Sequence, residues 1–160
     1  MLGEFSRTEL LIGKKAMEKL SRSTVAVFGI GGVGTFAVEG LVRSGVGKLV
    51  LIDHDCIELT NINRQIHATH KTIGKSKVEV MKERIMEINP RIQVQTHSTL
   101  FRSENAEELV TTDYDYIVDA IDTVTSKIDL VLNAQKLYIP IISCMGDRKS
   151  TRLNSSHITI

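Results

Sequence analysis

The sequence predicts an α/β fold: a doubly wound, mainly parallel sheet with helices on both faces. Three observations predict it. Short apolar runs alternate with helix-length amphipathic stretches, the pattern of repeated strand–helix–strand units. Those runs are β-branched and apolar at consecutive positions, as strands covered on both faces must be. The first of them, Val25-Ala-Val-Phe, enters the glycine-rich turn Gly29-Ile-Gly31-Gly32-Val-Gly34, and a helix-like stretch leaves it.

The elements follow in order. Leu10, Leu11, Ala16, Met17 and Leu20 recur with helical spacing and predict a helix at about 7–20. Strand 24–29 feeds the glycine turn, and Ala37, Val38, Leu41 and Val42 form the apolar face of helix 33–44. Strand 48–53, Leu49-Val-Leu-Ile-Asp53, closes on an acid nineteen residues after the last glycine. A polar loop at 54–72 leads to helix 74–88, opened by Gly74-Lys-Ser-Lys77. Strand 92–97 and helix 104–111 come next, then strand 115–121 around Tyr116-Ile-Val-Asp119-Ala-Ile-Asp122. Helix 125–136 and strand 138–144, containing Ile139-Pro-Ile-Ile-Ser-Cys144, complete the pattern. Right-handed crossovers wind such units into a Rossmann-like sheet, and ligands bind beyond the carboxyl ends of its strands. Gly29, Asp53 and Asp122 all fall at strand ends, which points to one site.

Composition narrows the classes. The 160 residues suffice for one domain with a real core. With 42% hydrophobic residues, 24% charged residues and a net charge of +1, the balance carries no global argument for nucleic acid or membrane binding. No apolar run reaches eighteen residues, and Met1-Leu-Gly-Glu-Phe-Ser lacks the basic and apolar regions of a signal peptide. Cys56 and Cys144 form no C-x-x-C pair, so they read as reduced thiols of a cytoplasmic protein without a zinc site. The domain is expected to span 1–146. Residues 147–160, rich in Ser, Thr and basic residues without periodicity, read as a poorly packed, foreign or frame-shifted tail on a truncated chain.

The residues at the strand ends suggest the chemistry. Gly29 allows the tight turn, Gly31 and Gly32 let backbone amides approach phosphate, and Gly34 lets the helix sit close to the strand. Asp53 is spaced to accept hydrogen bonds from a ribose diol. NAD would fit the same cradle, so other residues must decide. The loop after Asp53 carries Asn61-Ile-Asn63-Arg64-Gln65, and Arg64 offers a planar fork for phosphate or carboxylate. From Arg64 through Lys77 there are four Lys or Arg, two His and no acid; the run is either a solvated basic face or an anion site that Lys77 completes. Asp119 and Asp122 suit Mg²⁺ as oxygen ligands, while Asp122 is equally placed to cap the next helix. Arg, Lys and a metal-binding Asp around a polyphosphate favour ATP with Mg²⁺ over a nicotinamide or flavin. Cys144 ends an apolar strand, where an inert thiol is the common occupant. His67 and His70 are open to phosphate, RNA or plain surface roles.

Taken together, Gly29-x-Gly31-Gly32-x-Gly34, Asp53, Asn61-x-x-Arg64-Gln65, Lys77 and Asp119-x-x-Asp122 resemble the ThiF-type adenylating enzymes, which activate ubiquitin-like proteins and bacterial sulfur carriers. Phe5-Ser-Arg-Thr-Glu-Leu-Leu-Ile-Gly13, Asn61-Ile-Asn-Arg-Gln-Ile-His-Ala68 and Val118-Asp-Ala-Ile-Asp-Thr123 resemble the branch that dehydrates threonylcarbamoyladenosine beside the tRNA anticodon. The resemblance covers about residues 5–146. It implies that the glycines, Asp53, Asn61, Arg64, Lys77 and Asp122 bind ATP, with Asp122 positioning Mg²⁺. It also implies that Arg7 reaches into a neighbouring subunit's site, which makes the longer protein a homodimer. Arg7, Arg64, Lys77 and Asp122 would then serve catalysis, in which a substrate carboxylate is adenylated and a carbamoyl group closes a ring with loss of AMP. Some relatives use a cysteine to form a thioester or persulfide, so sulfur-transfer proteins are candidate partners. Two other readings compete with tRNA dehydration: adenylation of a sulfur-carrier protein, and a non-catalytic nucleotide-binding module. An NAD-dependent oxidoreductase is the outside alternative.

Overall fold

Strand β1 (Thr24–Phe28) lies in the middle of a five-stranded sheet of order β3-β2-β1-β4-β5. Its neighbours are β2 (Lys48–Ile52) and β4 (Tyr116–Asp119), with β3 (Gln93–His97) and β5 (Ile141–Ser143) outside them. The computed structural model describes residues 3–144 of the chain. All four pairings are parallel, and Val27 aligns with Leu51 on one side and Val118 on the other. The tail expected at 147–160 lies outside the described residues.

Alternate residues of the central strands feed two cores, because successive side chains of a strand point to opposite faces. Val25, Val27, Leu49 and Leu51 pack with Val38 and Val42 of α3 (Gly34–Arg43) and with Val78, Met81 and Ile85 of α4 (Lys77–Ile88). Ala26, Phe28, Val50 and Ile52 pack with Leu109 of α5 (Ala106–Leu109) and with Leu130 and Ala134 of α6 (Val124–Lys136). Phe28 also meets Phe101 edge to face at 5.2 Å. Each large side chain buried in this way stabilises the fold by about 1.5–3 kcal/mol. Because both faces are covered, the strands read as continuous apolar runs.

The structure corrects several boundaries. The single helix expected at 7–20 is two, α1 (Ser6–Ile12) and α2 (Lys14–Arg22), divided at Gly13, whose φ of 82° no α-helix accommodates. Leu10 and Leu11 of α1 are exposed, so their spacing does not mark a face of the core. The helix expected at 104–111 is a 3-10 turn at Ser103–Asn105 followed by the one-turn α5. Helix α4 starts at Lys77 rather than at 74, because Gly74 takes φ 83° and Ser76 is extended in ψ. Strand β5 starts only at Ile141, after Tyr138 turns the chain with φ 57°. Among the described residues, no helix is long and apolar enough to cross a membrane.

Candidate nucleotide site

The reversal of strand order between β1 and β4 opens the crevice in which doubly wound sheets bind ligands. Gly29 ends β1 with φ 89°, and a Cβ there would lie 2.6 Å from the Ala120 carbonyl oxygen beyond β4. Gly34 begins α3, and its Cβ would lie 1.8 Å from the Gly29 carbonyl oxygen. These two glycines are required by the protein's own backbone. Gly31 and Gly32 are different: the nearest atoms to a Cβ at these positions belong to the side chains of Gln65, at 4.0 Å, and Arg64, at 3.3 Å. Among the described residues, the amides of Gly31, Gly32, Val33 and Gly34 have no hydrogen-bond acceptor. The Val33 N-cap position supplies no side-chain cap either. Unpaired amides at the positive end of a ten-residue helix form an anion cradle.

Asp53 borders this cradle. Its Oδ2 accepts the Ile30 N–H at 2.6 Å and its Oδ1 accepts the Asp55 N–H at 2.8 Å. Each carboxylate oxygen retains a lone pair for another donor.

The segment from 54 to 76 is not a free loop. Its ends are joined where the Ile57 N–H donates to the Lys75 carbonyl and the Lys77 N–H to the Asp55 carbonyl, with a bridge between Cys56 and Ser76. Asn61 is buried inside it and accepts the Glu58 N–H at 3.0 Å, so this side chain holds the turn. Arg64 is exposed, donates from Nη1 to the Thr60 carbonyl and to Asn63 Oδ1, and lays its stem over Gly32. Lys77 is 6% exposed, and its Nζ pairs with Asp55 Oδ2 at 2.6 Å. Asp55 escaped the sequence reading, although it stands two residues after Asp53. Asp53, His54 and Asp55 bring their ligand atoms within 4.8 Å of one another and could share a cation.

The acid that ends β4, Asp119, and the one three residues beyond it, Asp122, separate completely. Asp119 is wholly buried, and its carboxylate takes the Lys127 Nζ at 2.9 Å, the Ser143 hydroxyl and the Ile121 N–H at 3.1 Å. A pairing of Asp119 with Asp122 as metal ligands is therefore corrected, because the wholly buried Asp119 carboxylate is already taken by Lys127. Asp122 is exposed and, among the described residues, accepts only a 3.4 Å contact from the Thr123 hydroxyl. The cap reading of Asp122 is corrected as well: Thr123 holds the N-cap of α6.

Arg7 stands exposed on α1, with no hydrogen bond or ion pair to the other site residues among the described residues. Cys144 is half-buried beside the Asp119–Lys127 pair, and burial pushes its thiol up, away from the thiolate a nucleophile needs. His70 lies on an open depression of about 530 Å³ with Leu59, Thr60, Ile62 and Asn63, which includes none of the glycine-turn residues. Of the roles left open for His67, the plain surface one is overturned, because the residue is 3% exposed. Desolvation first, then the charges of Lys77 and Arg84, depress its imidazole to about 4, so it is neutral at physiological pH.

The family model described as "ThiF family" matches residues 5–154. This chain belongs to the ThiF family. It is 48% identical to the tRNA threonylcarbamoyladenosine dehydratase of Bacillus subtilis, over 94% of this chain and 59% of that protein. It is 39% identical to the Escherichia coli dehydratase over 89% of this chain and 53% of that one. The crystal structure of the E. coli dehydratase in complex with ATP matches with a TM-score of 0.86, over 88% of this chain and 58% of that chain. The chain thus spans between half and three fifths of the length of these relatives. The start of α3 and Asp53 stand beyond the carboxyl ends of β1 and β2, the end at which doubly wound sheets bind ligands.

Proposed function

We propose that this chain carries the nucleotide site of an ATP-dependent tRNA threonylcarbamoyladenosine dehydratase acting in the cytoplasm. The cradle of unpaired amides at Gly31 through Gly34, bordered by Asp53 and overlaid by Arg64, supports the reading most strongly. The amides receive the phosphates, and Asp53 accepts from the ribose hydroxyls. Arg64 and Lys77 stabilise the negative charge that grows on the leaving pyrophosphate as a substrate carboxylate attacks the α-phosphate. The acyl-adenylate is then captured by the carbamoyl group of the same side chain, which closes the ring and releases AMP; the tether supplies the proximity. Asp122, exposed and nearly free of partners among the described residues, fits Mg²⁺, which would neutralise phosphate charge when bound. Arg7 on its exposed helix suits a role across a homodimer.

Calorimetry with Mg²⁺ tests this. ATP should bind in preference to NAD, and Lys77→Ala should abolish the signal. Binding of NAD without Mg²⁺ dependence would overturn the reading. Adenylation of a diglycine-tailed carrier protein, with tRNA inert as a substrate of the longer protein, would move the substrate class to sulfur carriers.

A further inference from the structure

We propose that the depression at Leu59 to Asn63 seats the RNA: an unstacked base lies on its apolar part, and the cations around it hold the flanking phosphates. The inference rests on the tRNA reading above and names the place where that substrate docks. Leu59 and Ile62 supply the apolar lining of the depression, of about 530 Å³, and Thr60, Asn63 and His70 the polar lining. Sites for small ligands run to about 300–1,000 Å³, so a nucleoside fits. RNA loops are read in this manner: a splayed base stacks on aromatic, His or apolar side chains and hydrogen-bonds along its edge.

Charge favours RNA over a protein partner. From Leu59 through Lys77 the chain has no acid, although the whole molecule carries only +1. Arg64, Lys71 and Lys75 are exposed, and none of the three forms an ion pair among the described residues. A turn at 69–72 carries His70 and Lys71; in it Thr72 Oγ1 accepts the Thr69 N–H at 2.8 Å and donates to the His67 carbonyl at 2.9 Å. The Lys75 carbonyl accepts the Ile57 N–H at 2.8 Å, which sets Lys75 beside the chain that leads into Leu59. The acid next to this run, Glu58, is engaged by its own 3-10 turn, where it accepts the Thr60 hydroxyl at 3.3 Å and the Asn61 N–H.

Arg64 joins the depression to the cradle. Its Nη1 donates to the Thr60 carbonyl at 2.9 Å and to Asn63 Oδ1 at 3.0 Å, both on residues that line the depression. Its stem lies 3.3 Å from a Cβ placed at Gly32. One side chain thus stands between a base in the depression and an anion at the start of α3. No glycine-turn residue lines the depression, so a nucleotide in the cradle leaves it open to a second substrate.

The test titrates the full chain into a fluorescein-labelled RNA stem-loop, with an adenosine in its loop, and follows anisotropy over a range of salt. Lys71→Gln with Lys75→Gln should weaken binding and lower the slope of log affinity against log salt by roughly one to two. Leu59→Ser and His70→Ala should each weaken binding about tenfold and barely change the slope, because they remove base contacts. Leu59 is 60% exposed, so its replacement leaves the core intact. ATP affinity, read by calorimetry, should stay at the wild-type value in all of these variants. Loss in the lysine variant alone, with Leu59→Ser and His70→Ala at wild-type affinity, overturns the base seat. An equal loss in Lys19→Gln with Lys136→Gln, exposed cations elsewhere, overturns it too. So does a folded chain that binds a diglycine-tailed protein and no RNA. A wild-type chain that binds no ATP removes the nucleotide reading, and the RNA titrations still decide the depression.

Discussion

Lys77 donates its Nζ to Asp55 across 2.6 Å, pairing a nearly buried cation with a carboxylate that stands half in solvent. The backbone reinforces the pair, since the Lys77 N–H donates to the Asp55 carbonyl and the Asp55 N–H to Asp53. The cation that the proposed function assigns to phosphate is thus already held by an acid on the rim of the cradle. An incoming phosphate must compete with it. Asp55→Asn keeps an acceptor but removes the competing charge. ATP should then bind several-fold more tightly in calorimetry, with a steeper loss on adding salt. Weaker binding in Asp55→Asn would instead make Asp55 a ligand of the nucleotide's metal, together with Asp53 and His54.

The glycines of the turn separate by what constrains them. A methyl at Gly34 meets the Gly29 carbonyl oxygen at 1.8 Å, so Gly34→Ala forces α3 off the strand and costs about 3 kcal/mol or more. Among the described residues beyond its chain neighbours, a methyl at Gly31 meets nothing closer than Gln65 Nε2 at 4.0 Å. Gly31→Ala should leave the thermal midpoint nearly unchanged and still lose ATP binding, because the methyl occupies the approach to the amides. Equal loss of stability in both variants would mean that Gly31 serves the fold and not a ligand.

Much of this architecture could be read from the chain because its causes are local. The glycine spacing and the acid closing β2 lie within one strand–helix–strand unit, and both cores follow from the alternation of Val25 and Val27 with Ala26 and Phe28. What escaped depends on contacts distant in sequence. His67 stands among Lys and Thr in a polar run that does not disclose its depth, yet it is 3% exposed. Asp119 and Asp122 look like a matched pair, but Lys127 from α6 and Ser143 from β5 claim the first. The apolar spacing at 7–20 indicated helix but neither the break at Gly13 nor the exposure of Leu10 and Leu11, since periodicity does not say what covers a face.

The Asp119–Lys127 pair is expected to behave as a buried ion pair. Lys127→Met would leave the Asp119 charge, wholly buried, with only the Ser143 hydroxyl and the Ile121 N–H among the described residues. Stability should fall by about 3–5 kcal/mol, read in denaturant unfolding. Replacing both, with Asp119→Leu and Lys127→Met, removes the orphaned charge and should recover a large part of that loss. Strictly additive losses would refute coupling between the two residues.

His67 also gives folding a pH dependence of defined sign. Its imidazole titrates near 4 in the folded chain and near its ordinary 6.5 in the unfolded chain, because burial and the charges of Lys77 and Arg84 oppose protonation. Above both values the ring is neutral in either state and contributes no slope. As pH falls through 6.5, the unfolded chain takes up a proton that the folded chain refuses, so stability drops. The drop continues until the folded ring protonates near 4, and levels off below. Between pH 7 and pH 5 the loss from this one group is about 2 kcal/mol. Carboxylates titrate in part of the same range, so the comparison is with His67→Gln, which keeps a polar side chain without the titration. Urea unfolding of the two chains at both pH values isolates the histidine. Parallel losses would mean that His67 protonates as readily in the folded chain as in the unfolded one, and that its ring is open to solvent.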